Sequence, residues 1–191
     1  MFDRIFEFEQ ALAKYTGAPY VVMTDCCTHA IEMCLRFDQV KRVQFPAYTY
    51  LSILMTMHKL NITYGLLDQK WIGEYQFNGT RIWDSARRLE RNMYRPGMLQ
   101  CLSFGNGKPL QIGRGGAILT DDVEVYDQLS MMRYDGRDLH VAPWPEQQTF
   151  RVGYHYKPTI EEAEIGLKLL PHVSEQPKYV EYPDCRNIII E

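Results

Sequence analysis

From Tyr20 to Tyr134, short apolar and β-branched runs alternate with longer stretches whose apolar residues recur at helical spacing. A chain built this way can bury both kinds of element together only by laying helices over the faces of a sheet. The first helix carries Ile5, Phe8, Ala11, Leu12 and Tyr15 and stops at Gly17 and Pro19. Strands are predicted at Tyr20–Thr24, Arg42–Phe45, Ile62–Leu67, Arg81–Trp83 (ending at Asp84), Met98–Phe104 and Gly116–Thr120. Helices are predicted from the neighbourhood of Thr28, with Thr28 or a close neighbour read as the N-cap, then over Thr49–His58, Val123–Tyr134 and Thr159–Val173. The expected class is α/β with a largely parallel sheet. Arg137 to Tyr156 lacks periodicity and reads as a long loop of the kind that often carries function.

The 191 residues, 46% of them hydrophobic, suit one domain over residues 1–175 with an extended tail over 176–191. A net charge of −3 and the lack of a long basic run argue against coating nucleic acid, while leaving a small anionic ligand open. Cys26, Cys27, Cys34, Cys101 and Cys185 form no C-x-x-C pair, which argues against a zinc site or a disulfide framework. The start of the chain is too acidic for a signal peptide, and no apolar run approaches the roughly 20 residues of a membrane span. A soluble, cytoplasmic protein with reduced thiols and no membrane contact is the expectation.

Five segments could carry chemistry. Ser103-Phe104-Gly105-Asn106-Gly107-Lys108, followed by Gly113-Arg114-Gly115-Gly116-Ala117, places a lysine in a glycine-rich turn after a strand, where it could reach a ligand at the strand's end. A solvated lysine is the plain alternative. Asp84, within Ile82-Trp83-Asp84-Ser85-Ala86-Arg87, is either a helix cap or a carboxylate aimed at a ligand. Asp25-Cys26-Cys27-Thr28-His29 joins a strand to a helix N-terminus, where free N–H groups favour an anion. The cysteines there suit small packing residues better than catalytic thiols. Phe45-Pro46-Ala47-Tyr48-Thr49-Tyr50 ends a strand on aromatics, and Gly153-Tyr154-His155-Tyr156-Lys157 closes the long loop.

In this order the segments resemble the DegT/DnrJ/EryC1/StrS family of aminotransferases dependent on pyridoxal 5′-phosphate (PLP). The resemblance runs from Phe8 to Leu170. It implies the large domain of PLP-dependent transferase fold type I, which is aspartate-aminotransferase-like, in shortened form. It further implies that Lys108 forms a Schiff base with PLP and later moves a proton, and that Asp84 pairs with the pyridine nitrogen. Ser103, Thr28 and Cys27 would contact the phosphate, Tyr50 would stack on the ring, and Arg87 would sit near the phenolic oxygen. His155 would reach the phosphate of a partner chain, so a homodimer is implied. Three departures stand out: Cys27 replaces a glycine, Arg87 a glutamine, and His155 with Lys157 an asparagine and an arginine.

The activity implied is transfer of an amino group from an amino-acid donor to the keto group of a sugar or nucleotide-linked sugar. A binding or regulatory protein with reduced turnover, or another PLP reaction such as decarboxylation or lyase chemistry, stays open. A nucleotide-binding domain lacks support, because neither G-x-G-x-x-G nor a P-loop is present. Family members carry more sequence between Pro46 and Asp84 and beyond Leu170, which makes the loop Arg137–Tyr156 the candidate lid.

Overall fold

The computed structural model describes residues 2–139, 141, 143–173 and 180–190. Five α-helices and seven strands follow one another as α1 (Asp3–Thr16), β1 (Tyr20–Thr24), α2 (Cys27–Phe37), β2 (Arg42–Pro46), α3 (Leu51–Lys59), β3 (Thr63–Leu67), β4 (Tyr75–Gln76), β5 (Ile82–Asp84), β6 (Leu99–Ser103), β7 (Gly116–Thr120), α4 (Val123–Met132) and α5 (Ile160–Leu169). Local chemistry explains several boundaries. Gly17 takes a left-handed conformation (φ 77°) after α1, and its N–H closes onto the Ala13 carbonyl. Thr159 and Glu162 form a reciprocal capping box at α5, and Asp122 caps α4. At α2 the cap is Cys26, two residues before Thr28, and its thiol accepts the His29 N–H at 3.4 Å. The two-residue β4 is too short to leave a periodic signal.

Strand order in the main sheet is β1-β7-β6-β5-β4, with β2 and β3 forming a second, parallel pair. The α/β class holds, but the expectation of largely parallel pairing needs correction. In the five-stranded sheet β5/β6 is parallel, whereas β1/β7, β6/β7 and β4/β5 are antiparallel. Antiparallel neighbours need no helical crossover, and none lies between β6 and β7 or between β4 and β5, although β5 and β6 run parallel through a connection that also carries no helix. Apolar periodicity identifies a strand without fixing the direction of its neighbour.

Alternation along the strands sorts side chains into two layers. Val22, Leu99, Cys101 and Ile118 pack with α2, α3 and α4, whereas Val21, Met23, Leu102, Ala117 and Leu119 pack with Ile5, Phe8 and Leu12 of α1 and Ala163 of α5. The buried Arg133 at the end of α4 ties these layers together by pairing with the buried Glu9 of α1 and by donating to the Met23 carbonyl at 2.6 Å. Register then decides what meets at one edge. Thr24 lies opposite Gly116, Gly116 opposite Ser103, and Asp84 opposite Cys101.

Gly116 is the tightest point of that edge. A Cβ there would stand 2.5 Å from the Cys27 amide nitrogen and 2.6 Å from the Cys26 carbonyl carbon, both of them backbone atoms. Gly116→Ala is expected to lower stability by about 1–3 kcal/mol. Denaturant unfolding will show this as a lower midpoint, and an unchanged midpoint would mean that α2 can back away freely. Among the described residues no helix is long and apolar enough to cross a membrane.

Candidate active site

At this edge a cavity of about 360 Å³ opens among the carboxyl ends of β1, β5 and β6, the start of β7 and the N-termini of α2 and α3. Its size falls within the range of small-molecule sites, and its position at strand ends is where α/β sheets bind ligands. Seven of the eight residues singled out from the sequence line it: Cys27, Thr28, Tyr50, Asp84, Arg87, Ser103 and Lys108.

Asp84 ends β5 and is 4% exposed. Burial pushes its carboxyl above the ordinary aspartate range, against the Ala86 N–H, the Lys108 charge, the Tyr75 phenol and the Arg87 charge, all of which favour ionisation. The Ala86 N–H donates to Oδ1 at 3.0 Å. Burial, and next the Asp84 charge, keep the Tyr75 phenol protonated, and its hydroxyl also shares a 2.8 Å hydrogen bond with Thr49. The carboxylate therefore has donors around it but too little positive charge to offset its desolvation.

Lys108 rises from the turn after β6, where Gly107 is left-handed (φ 73°) and the Lys108 N–H bonds the Gly105 carbonyl at 3.3 Å. Arg87 crosses to this turn and donates to the Gly107 carbonyl at 2.7 Å. Opposite, the N-terminus of α2 presents Cys27 and Thr28, and the Thr28 hydroxyl shares a 2.7 Å hydrogen bond with Ser52 at the start of α3. Cys27 is buried and its thiol points to the Cys101 carbonyl at 3.7 Å, so it packs under the cavity floor. Tyr50 is 62% exposed at the rim, which removes core packing as its explanation.

His155 lies elsewhere. It reaches Asp135 at 3.1 Å, is 66% exposed and pairs across a β-bridge with Tyr134. Among the described residues, none from the loop Arg137–Tyr156 lines this cavity, so the lid expectation is corrected. That loop folds back instead: its Tyr154 carbonyl accepts the Asp135 N–H, and Tyr156 stacks on His29 with ring centroids 3.7 Å apart.

Several lining residues escape sequence reasoning. Arg114, from the glycine-rich segment, binds Asp25 Oδ2 at 2.8 Å and the Asp25 carbonyl at 3.1 Å, fastening that turn to the start of α2. The other Asp25 oxygen binds His29 Nδ1 at 2.7 Å. Burial alone would lower the His29 pKa, but the Asp25 hydrogen bond and the Cys26 contact prevail and raise it to about 9, so the ring is protonated at neutral pH. Trp71 and Tyr182 form an aromatic wall, stacked at 5.7 Å and 15°. Tyr182 belongs to Val180–Ile190, and this segment is anchored by buried Cys185, whose N–H bonds the Ala47 carbonyl at 3.0 Å. Of the tail read from the sequence, Pro177 and Tyr179 lie outside the described residues.

A buried carboxylate and a lysine facing one cavity beside a helix N-terminus are the arrangement that the sequence resemblance implies. The sequence model of the DegT/DnrJ/EryC1/StrS aminotransferase family matches residues 1–70 and 86–179. The chain belongs to this family. No curated protein matches it significantly by sequence. Solved structures share its fold at low identity. Helicobacter pylori PseC, an aminotransferase involved in the biosynthesis of pseudoaminic acid, aligns at TM-score 0.72 and 16% identity, over 88% of this chain and 57% of its own. AtS13 from Actinomadura melliaura gives 0.75 and 20% over 88% and 59%. The sugar aminotransferase CalS13 from Micromonospora echinospora gives 0.70 and 16% over 88% and 60%. The chain thus spans somewhat under two thirds of the length of these structures.

Proposed function

We propose that this family member holds PLP covalently on Lys108 and transfers an amino group from an amino-acid donor to the keto group of a sugar or nucleotide-linked sugar. The observation that carries the reading is the single cavity shared by the Lys108 amine, the buried Asp84 carboxylate and the α2 N-terminus. Family membership supports the chemistry, and a sugar acceptor is supported by the descriptions of PseC and CalS13.

The donor set fits the cofactor. Asp84 is desolvated without enough cationic compensation, and a protonated ring nitrogen would supply the missing charge. The α2 N-terminus with Thr28, Cys27 and Ser103 offers N–H and hydroxyl donors to a phosphate. Tyr50 supplies an aromatic face at the rim, and Arg87 a cation near the lysine turn. When bound, PLP would supply an electron sink for the bond that breaks at the amine-bearing carbon. Lys108 anchors the group and then, released, carries the proton between donor and acceptor positions. Asp84 keeps the ring nitrogen charged, and the aromatic wall excludes water from one side.

The working form is proposed to be a cytoplasmic homodimer, with His155 of each chain reaching the phosphate site of the other. Its exposed position away from its own cavity supports such a role.

Incubation with PLP, borohydride reduction and peptide mass spectrometry form the test. A pyridoxyl group on the peptide containing Lys108, in a sample that sediments as a dimer, is the expected result. Absence of any adduct would leave a non-catalytic binding protein, and a monomer that binds PLP tightly would remove the shared site.

A further inference from the structure

One wall of the cavity comes from the far end of the described chain. Val180–Ile190 crosses the strand-end edge and is held there by several independent contacts. Cys185 N–H bonds the Ala47 carbonyl at 3.0 Å, Asp184 forms a β-bridge with Tyr48, and Arg186 pairs with Asp68 at 3.5 Å and donates to the Tyr48 hydroxyl at 3.3 Å. The segment delivers Tyr182 against Trp71, whose indole N–H is itself tied to the Tyr48 carbonyl at 2.7 Å. Tyr50 meets the same ring edge-on at 6.5 Å.

The Tyr182 hydroxyl accepts the Arg87 Nε–H at 3.1 Å, and the other side of that guanidinium donates through Nη1 to the Gly107 carbonyl at 2.7 Å. Gly107 immediately precedes Lys108, in a turn closed by one 3.3 Å backbone hydrogen bond. Arginine's planar fork suits this bridging, since its donors are fixed relative to one another and placing one end places the other. A phenol is well matched to the task, because its ring is immobilised by stacking while its oxygen stays free to accept.

We propose that Tyr182 is a positioning residue of this site, holding the Arg87 guanidinium against the Gly107 carbonyl and so fixing the turn that presents Lys108. This rests on the reading of Lys108 as the cofactor-bearing amine, but it concerns the chain's own residues and can be tested without PLP. The ring contacts with Trp71 and Tyr50 are separable from the hydroxyl. Tyr182→Phe keeps the former and removes the latter, whereas Arg87→Met removes the bridge itself.

The readout is the rate at which an amine-acylating reagent labels Lys108 in the PLP-free protein, measured by peptide mass spectrometry across pH and normalised to Lys59 in the same sample. Both single variants should retain the parent's melting temperature. Each should change the Lys108 rate by about threefold or more in the same direction, and the double variant should change it no further than Arg87→Met alone. An unchanged rate in Tyr182→Phe, or effects that multiply in the double variant, would overturn the coupling and leave Tyr182 as packing. If Tyr182→Phe fails to fold, Arg87→Lys replaces it, since lysine keeps the charge without the fork; a rate like the parent's would then count against the proposal and a change like that of Arg87→Met would support it. The parent's own uptake of PLP is scored separately. A parent without adduct but with coupled labelling would sink the cofactor reading alone, while a parent with adduct and no coupling would sink this proposal alone.

Discussion

Lys108→Ala is expected to abolish covalent uptake of PLP and to lower amino transfer by about 10³-fold or more, the loss associated with removing an essential proton-transfer group. The fold should survive. The turn is closed by the Lys108 backbone N–H on the Gly105 carbonyl, a bond that alanine can also make, and by the Arg87 contact with Gly107. Lys108→Arg separates charge from chemistry, because a guanidinium preserves the cation facing Asp84 but offers no primary amine. Both variants should lack the visible absorbance band of the parent with PLP and should yield no pyridoxyl peptide after borohydride reduction. A stable adduct in either variant, on any other lysine, would move the reactive amine away from the glycine-rich turn and with it the assignment of the cavity.

Asp84→Asn should separate binding from turnover. The adduct on Lys108 is expected to form, yet the rate at which an amino donor discharges its absorbance should fall by about 10²–10⁴-fold. A buried charge pair that loses one partner costs about 3–5 kcal/mol, and each 1.36 kcal/mol is about tenfold in rate. Stability without PLP should move the opposite way. The folded-state pKa of Asp84 is raised by burial, so above the unfolded pKa the folded protein holds this carboxylate less favourably than the unfolded chain does. That cost grows as pH rises above the unfolded value, is complete above the raised folded-state pKa, and disappears as pH falls below the unfolded value. The asparagine variant should therefore melt higher than the parent at pH 7 without PLP, and gain less on adding it. Turnover within a few-fold of the parent would show that Asp84 only caps the turn at Ala86.

The two substitutions bear on residues that are legible in the sequence for different reasons. Lys108 stands out because it directly follows Gly105-Asn106-Gly107 and stands five residues before the next glycine-rich stretch at Gly113, and local composition of that kind reports a backbone forced into close turns. Asp84 is locally indistinguishable from a cap, and it does in fact accept the Ala86 N–H. What distinguishes it is burial beneath a cavity, which depends on β5 lying beside β6. Arg87 could be read from the sequence as a substitution, but its bridge joins Gly107, 20 residues downstream, to Tyr182, 95 residues downstream. No local pattern encodes such a contact.

Helix and strand periods, the stop at Gly17, the cap at Thr159 and the ordered motifs from Cys27 to Lys108 were determined by the sequence alone, since each depends on side chains within a few residues of one another. Strand direction, the alignment of Thr24, Gly116 and Ser103 along one edge, and the choice of Val180–Ile190 over the Arg137–Tyr156 loop as a cavity wall were decided only in three dimensions. These depend on which distant surfaces can be buried together without leaving a backbone group or a charge unsatisfied. That balance is struck over the whole core and has no local signature.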